Sequence, residues 1–304
     1  IEILELTVDI PHVTRGSCGS SLLCYLLGIT GVDPVKYDIK FERFLNKYRN
    51  TLPDIDFDFP HILRDDIFYK LEKKWPGKIA RISNHVHYHE KSAKREALRK
   101  MGHNKFIGKY EVEYYIKNNL TNEETKTFNK LVKNMENTFS HYSLHCGGIV
   151  LYPDGVPEYL KHIQKSSNVI NQITLSKYDI ANIKMFKIDI LSSRALTQLM
   201  EIDKELSFLD FNKITIDENV MQLFRNGNNI GITLAESPLI KKAMINVLPN
   251  NVSDLAKILS IIRPAAKDAK NDIDDNDHAI IYDDDAIDII SKYTGVDYEL
   301  SDFY

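Results

Sequence analysis

Three aspartates alternate with apolar residues in Pro53-Asp54-Ile55-Asp56-Phe57-Asp58-Phe59. Side chains of a strand point to its two faces in turn. Asp54, Asp56 and Asp58 therefore share one face, and Ile55, Phe57 and Phe59 the other. The apolar face suits a core. The acidic face crowds carboxylates that raise one another's pKa unless cations sit between them. Magnesium takes oxygen ligands and keeps room for substrate phosphates. Paired carboxylates holding two such ions serve phosphoryl and nucleotidyl transfer. The competing reading is an acidic strand edge turned to solvent.

Two other segments offer matching chemistry. Thr14-Arg15-Gly16-Ser17-Cys18-Gly19-Ser20-Ser21 runs into LLCYLLGI, which has helical length and an apolar face. Free backbone N–H groups at such a start favour an anion, and Arg15 adds a fork suited to phosphate oxygens. An ordinary serine-capped helix is the alternative. In Lys187-Ile188-Asp189-Ile190, Lys187 and Asp189 share the face opposite Ile188 and Ile190. Spacing alone leaves open whether Asp189 meets Asp54 and Asp56.

Net charge is −4, but residues 265–304 hold twelve acidic residues and three lysines, which leaves +5 for residues 1–264. Within that larger part lies a basic stretch of Lys91, Lys94, Arg95, Arg99, Lys100 and Lys105. A local basic stripe can follow a phosphate backbone even in an acidic protein; a solvated helix face is the alternative. His85, His87 and His89 alternate as zinc ligands on one strand face would, but no fourth ligand lies close in sequence. Contact with DNA phosphates is the other reading. Asp283-Asp284-Asp285 is expected at a helix N-terminus, where negative charge complements the dipole.

The elements that must position these groups follow from periodicity. The first segment, ILELTVDI, reads as a strand ending at Pro11. Helices are expected over 61–80, stopped at Pro76-Gly77, then over 90–101 and 107–139. GGIVLY at 147–152 and Met185–Leu191 read as strands. From 194 onward the pattern is mostly helical, with loops near 226–229 and 272–277. No run approaches the apolar length of a membrane span, and the start carries no basic leader. Three scattered cysteines, Cys18, Cys24 and Cys146, fit a reducing cytoplasm better than a disulfide framework. At 304 residues one large domain or two to three small ones are expected.

Along nearly its whole length the chain resembles the bacterial DNA polymerase III alpha subunits, the C-family replicative polymerases. Thr14–Thr30 is similar to that family's glycine-serine motif, 32–46 to the run into the catalytic strand, and Pro53–Pro60 to the strand itself. His145-Cys146-Gly147-Gly148 resembles the histidine-glycine strand start, and Lys187–Leu191 with Arg194–Thr197 the strand of the third aspartate. Gly231-Ile232, Glu236-Ser237, Ile262-Arg263-Pro264 and Ala279–Tyr282 match landmarks of the fingers.

The resemblance implies an α/β (α+β) protein: a polymerase-beta-like nucleotidyltransferase palm with a mixed sheet, a helical thumb insertion and mostly helical partial fingers. The palm would occupy 1–85 and 145–194, the thumb 86–144, and truncated fingers 195–304. Asp54, Asp56 and Asp189 would be the catalytic metal ligands for two Mg²⁺, with Mn²⁺ as a substitute, and Asp58 would support them. Arg15 would join the nucleotide site. Gly16, Ser17, Arg43 and Arg263 would reach the triphosphate, with Lys187 beside the site. Lys91, Lys94, Arg95, Arg99 and Lys100 would grip duplex DNA from the thumb. Primer-template DNA and deoxynucleoside triphosphates are the implied partners. A sliding clamp and replisome subunits would bind domains absent here, in a bacterial cytoplasm or that of a phage host.

There are departures. Pro11-His12-Val13-Thr14 replaces a Gly-Pro-Gly lead, Ala265-Ala266 a Gly-Pro pair, and Thr233-Leu234-Ala235 a phenylalanine-glutamine step. The chain lacks an initiator Met and stops in what looks like a fingers helix. It is therefore expected to be a core fragment or a short, phage-like member. A template-independent nucleotidyltransferase and a non-catalytic DNA-binding relic stand as alternatives.

Overall fold

A computed structural model describes residues 1–48, 52–103, 108, 111–162, 170–202, 217–262 and 283–303. Six strands form one mixed sheet: β1 (Val13–Arg15), β2 (Ile55–Pro60), β3 (Ile79–His87), β4 (Phe139–Leu151), β5 (Asn171–Gln172) and β6 (Ile188–Ser193). Their spatial order is β1-β2-β6-β4-β3-β5. The β2–β6 and β3–β5 pairs are parallel and the others antiparallel.

One face is closed by two helices, α1 (Glu2–Leu6) and α3 (Arg64–Lys74), whose Ile3, Ile67, Phe68 and Leu71 pack on Phe57, Phe59, Ile79, Ile149 and Ile190. These sheet residues are the apolar half of the alternation in β2 and β6. The opposite face is covered only in part. Over β3, β4 and β5, Ala80, Ile82, Val150 and Ile173 form a second core with Ile180 of α7 (Lys177–Asn182). That cover stops short of β2 and β6, whose polar face stays open.

The long antiparallel pair β3–β4 brackets the segment expected as a thumb. Between the strands lie α4 (Glu90–Lys100), α5 (Val112–Asn119) and α6 (Asn122–Met135). Their own core joins Ala97, Leu98, Val112 and Phe128. A capping box at Thr121 and Glu124 starts α6. Beyond β6 the regular elements among the described residues are helices: α8 (Arg194–Ile202), α9 (Glu218–Arg225), α10 (Pro238–Val247), α11 (Val252–Ile261), α12 (Asp283–Thr294) and α13 (Tyr298–Phe303). A further core of Met221, Phe224, Ile240, Met244 and Ile258 holds α9 to α11 together. The end of the chain folds back on residues 46–47, where Lys47 pairs with Glu299 at 2.5 Å and the Asn46 side-chain amide donates to the Glu299 carbonyl at 2.7 Å.

Two local expectations are corrected. Residues 2–6 are helical, not extended. Buried Ile3, Thr7 and Ile10 recur at helical spacing, and the Thr7 hydroxyl donates to the Ile3 carbonyl at 2.8 Å. The helix expected over 22–29 is a single turn, α2 (Leu22–Leu26). It stops ahead of Gly28, whose φ of 68° takes the chain out of helical geometry. The Asp283 run does begin a helix. The turn at 226–229 is present, with Gly227 at φ 66°, whereas 272–277 lies outside the described residues.

Candidate active site

β2 and β6 run parallel in a register that sets Asp56 beside Asp189. On the other side of β2, the antiparallel register sets Arg15 beside Asp56. Phe57, Phe59 and Ile190 anchor both strands to the core, so alternation turns Asp56, Asp58 and Asp189 to the open face. A slip of one residue in β6 would bury Asp189 in the core face.

Charge there is unevenly satisfied. Arg15 grips Asp58 with two bonds, one from Nε and one from Nη2 at 3.0 Å. Lys187 Nζ donates to Asp189 Oδ2 at 2.6 Å. Asp56 Oδ1 and Asp189 Oδ1 are buried and have no partner. Burial first, then the charges of Asp189 and Asp54, push the Asp56 carboxyl up to about 6, against the opposing pull of Lys187 and Arg15. Two nearby cations thus fail to balance the site.

The glycine-serine turn comes directly onto this cluster. Ser17 Oγ donates to Asp54 Oδ1 at 3.1 Å and lies 3.3 Å from the Asp54 carbonyl oxygen. Gly16 has φ of 91°, and a Cβ there would stand 3.1 Å from that oxygen. Glycine meets both demands. The 3₁₀ turn Phe41–Arg43 packs beside the 3₁₀ turn Ser17–Ser20, which brings half-buried Arg43 to the same side of the molecule. A cavity of about 70 Å³ opens beside Asp54, with Lys177 and Lys187 in its wall. Arg263 and Lys105 lie outside the described residues.

No three His, Cys, Asp or Glu side chains among the described residues stand together as a ready metal cage. The donor set nevertheless fits a hard cation. Two buried carboxylate oxygens without partners lie on neighbouring strands in register, and oxygen is the donor such ions take. Asp54 accepts from Ser17 at Oδ1. The histidines of β3 form no metal site either: His85 Nε2 lies 2.6 Å from the Thr174 carbonyl, and His87 Nδ1 3.2 Å from the His85 carbonyl.

Of the basic stretch, Lys91, Arg95, Arg99 and Lys100 are exposed on α4. Lys94 is tied to Glu90 at 2.7 Å and Glu113 at 2.5 Å, and Arg99 to Glu96 at 2.6 Å.

The sequence reading assigned no role to His145, Arg81 or Lys177. From Arg81 to Ser83 is two steps on β3, opposite five on β4 from Leu144 to Ile149, so β4 bulges by three residues. Bulges re-aim side chains and cluster near active sites. This one brings His145 Nδ1 to 3.8 Å from Asp189 Oδ1. Burial lowers the His145 pKa, opposed by the nearby Asp189 charge. Buried Arg81 supports the bulge, donating to the carbonyls of His145 and Cys146 at 2.8 and 3.1 Å. Paired Gly147-Gly148 inside a strand was the available signal for the bulge. An arginine between Ala80 and Ile82 gave none.

Comparison with known proteins fits this geometry. The family model described as the bacterial DNA polymerase III alpha NTPase domain matches residues 7–192. This chain belongs to the bacterial DNA polymerase III alpha family. The family's finger-domain model matches residues 159–296. DNA polymerase III subunit alpha of Staphylococcus aureus strain Mu50 is 28% identical over 274 residues, covering 82% of this chain and 26% of that protein. An error-prone DNA polymerase of Bdellovibrio bacteriovorus is 26% identical over 271 residues, with the same coverage of each. The chain thus spans about a quarter of the length of these two relatives. Among the described residues no helix is long and apolar enough to cross a membrane.

Proposed function

We propose that the chain is the catalytic core of a DNA-directed DNA polymerase. It would add deoxynucleotides to a primer 3′ end by two-metal nucleotidyl transfer and release pyrophosphate. The observation that carries this reading is the in-register pair Asp56 and Asp189, each with a buried unpartnered oxygen, beside the Gly16-Ser17 turn. Bound Mg²⁺ would lower the barrier by neutralising charge on the attacking and leaving oxygens. Asp56 and Asp189 would hold the ions, and Asp54 would join them when released from Ser17. The glycine of the Gly16-Ser17 turn lets a triphosphate approach the backbone closely. Arg43 and Arg263 would bind its phosphates, with Arg15 ordering the strand edge through Asp58. Lys187 orients Asp189 through its bond to Oδ2.

In this reading residues 1–85 and 145–194 are the palm, 86–144 the thumb and 195–304 the fingers. Lys91, Lys94, Arg95, Arg99 and Lys100 would contact the duplex backbone. The partners are primer-template DNA and deoxynucleoside triphosphates. A sliding clamp and replisome subunits would act through parts of the relatives that this chain does not cover, in a cytoplasmic setting.

Titration calorimetry of a deoxynucleoside triphosphate with Mn²⁺, on this chain and on Asp56→Asn, tests the reading. Binding that collapses in the variant is expected, followed by primer extension by the unaltered chain. Equal binding in both, or none in either, would overturn it.

A further inference from the structure

Asp189 has one oxygen bonded to Lys187 and one without a partner. What stands against the free oxygen is the imidazole of His145, and the hydrogen bonding of its Nδ1 decides what it does there. Nδ1 accepts from the Gly148 N–H at 2.8 Å and from the Gly147 N–H at 3.4 Å. A ring nitrogen that accepts carries no proton, so the hydrogen resides on Nε2. At 3.8 Å from Asp189 Oδ1, Nδ1 is then a neighbour that donates nothing. The other tautomer, or an imidazolium, would aim an N–H at Oδ1 and compete with a cation for it.

The bulge leaves the ring little freedom. A Cβ on residue 147 would lie 2.6 Å from the Ile190 carbonyl oxygen, and one on residue 148 would lie 2.7 Å from Ile82 and 2.8 Å from His145 Nδ1. Arg81 ties down the carbonyls of His145 and Cys146 from the other side of the strand. Both side chains are nearly enclosed, with 13% of His145 and 11% of Asp189 exposed.

We propose that His145 is a positioning residue: the amides of its own bulge hold it as the neutral Nε2–H tautomer, and in that state its ring packs against the Asp189 carboxylate without donating to it, which leaves Oδ1 open to a cation. This rests on the polymerase reading of the site and adds to it a residue that acts through Asp189. Groups that orient a metal ligand cost about 10- to 100-fold in metal affinity when removed.

The test combines two readouts on this chain. Long-range ¹H–¹⁵N correlation spectra of the metal-free protein at pH 7.5 report the tautomer, and paramagnetic resonance of free Mn²⁺ reports affinity. His145 is expected with Nδ1 unprotonated. His145→Ala and His145→Gln are expected to lose about tenfold in Mn²⁺ affinity. His145→Asn keeps an acceptor at the Nδ1 position and should recover most of that loss. An Nδ1–H tautomer, an imidazolium, an alanine variant with unaltered affinity, or an asparagine variant as weak as alanine would each overturn the proposal. Should His145→Ala fail to fold, the tautomer and the asparagine and glutamine pair still decide. If the unaltered chain and Asp56→Asn both ignore Mn²⁺, the two-metal reading fails, and the positioning role fails with it. If only the His145 variants behave like the unaltered chain, the positioning role alone is lost.

Discussion

The carboxylates of β2 and β6 and the basic stripe of α4 are both dense runs of like charge, yet they are solved in opposite ways. On α4 the charge lies in water, and glutamates at helical spacing neutralise Lys94 and Arg99. Such exposed pairs contribute little. On the sheet, the core packed under Phe57, Phe59 and Ile190 fixes the strands that carry Asp56 and Asp189, and two of their oxygens meet nothing. Exposed like charge costs little and signals little. Buried like charge that the fold leaves unbalanced singles out a candidate ligand site.

The largest effect expected from this contrast is at Asp56. Replacing it with asparagine should reduce primer extension by about a hundredfold or more, since loss even of a group that merely orients a ligand costs 10- to 100-fold. The same change should raise the melting temperature of the metal-free chain. The sign follows from linkage. The Asp56 pKa is raised to about 6 in the fold from an ordinary 3.8. Its contribution to stability is therefore fully present below 3.8 and lost as pH rises through about 6. The melting advantage of Asp56→Asn over the unaltered chain should be smallest below pH 4, grow between about pH 4 and 6, and level off above that. A pH-independent gap would mean that the carboxylate is not crowded as described.

Next in size is the bulge. Gly148→Ala should destabilise the chain by about 1–3 kcal/mol in denaturant melts, as overpacking does, because Ile82 and His145 both stand in the way. An unchanged midpoint would show that the bulge relaxes freely and that His145 is not held.

On the basic side, Arg95→Ala should weaken binding to a DNA duplex severalfold at low salt. It should flatten the salt dependence by about 0.9, the slope of a single phosphate contact. Lys94→Ala should do less, because Glu90 and Glu113 already hold its ammonium. Equal effects from the two would remove the distinction between free and compensated charge on α4.

The smallest effect lies in the turn before β6. Lys184 adopts φ of 55°, a region that costs a side chain about 1 kcal/mol. Lys184→Gly should gain a fraction of that, its own loss of chain entropy opposing. A thermal melt with Asp189 untouched reads the difference.

Much of this was legible in residue order. The alternation in Asp54–Phe59 and Lys187–Ile190 named the acidic residues and the face they share, since a strand has only two faces. Helical spacing in 90–101 and the stop at Pro76-Gly77 held for the same local reason: the pattern sits within a few turns of chain. Local pattern failed where two periods coincide. Ile3, Thr7 and Ile10 suit a helix, while ILELTVDI also alternates well enough for a strand, and packing against α3 decided for the helix.

By itself, then, the sequence determined most of the elements, the family and the acidic residues worth following, because these depend on residue type and short spacing. Only the tertiary structure decided which charges remain unpaired. The pairing of Asp56 with Asp189 joins strands far apart in sequence through backbone register, and no local period encodes it. The capture of Asp58 by Arg15 and of Asp189 Oδ2 by Lys187, with Oδ1 left open beside His145, likewise arose from packing. Desolvation is a property of the assembled fold, so the raised pKa of Asp56 exists only once β1, β2 and β6 are brought together.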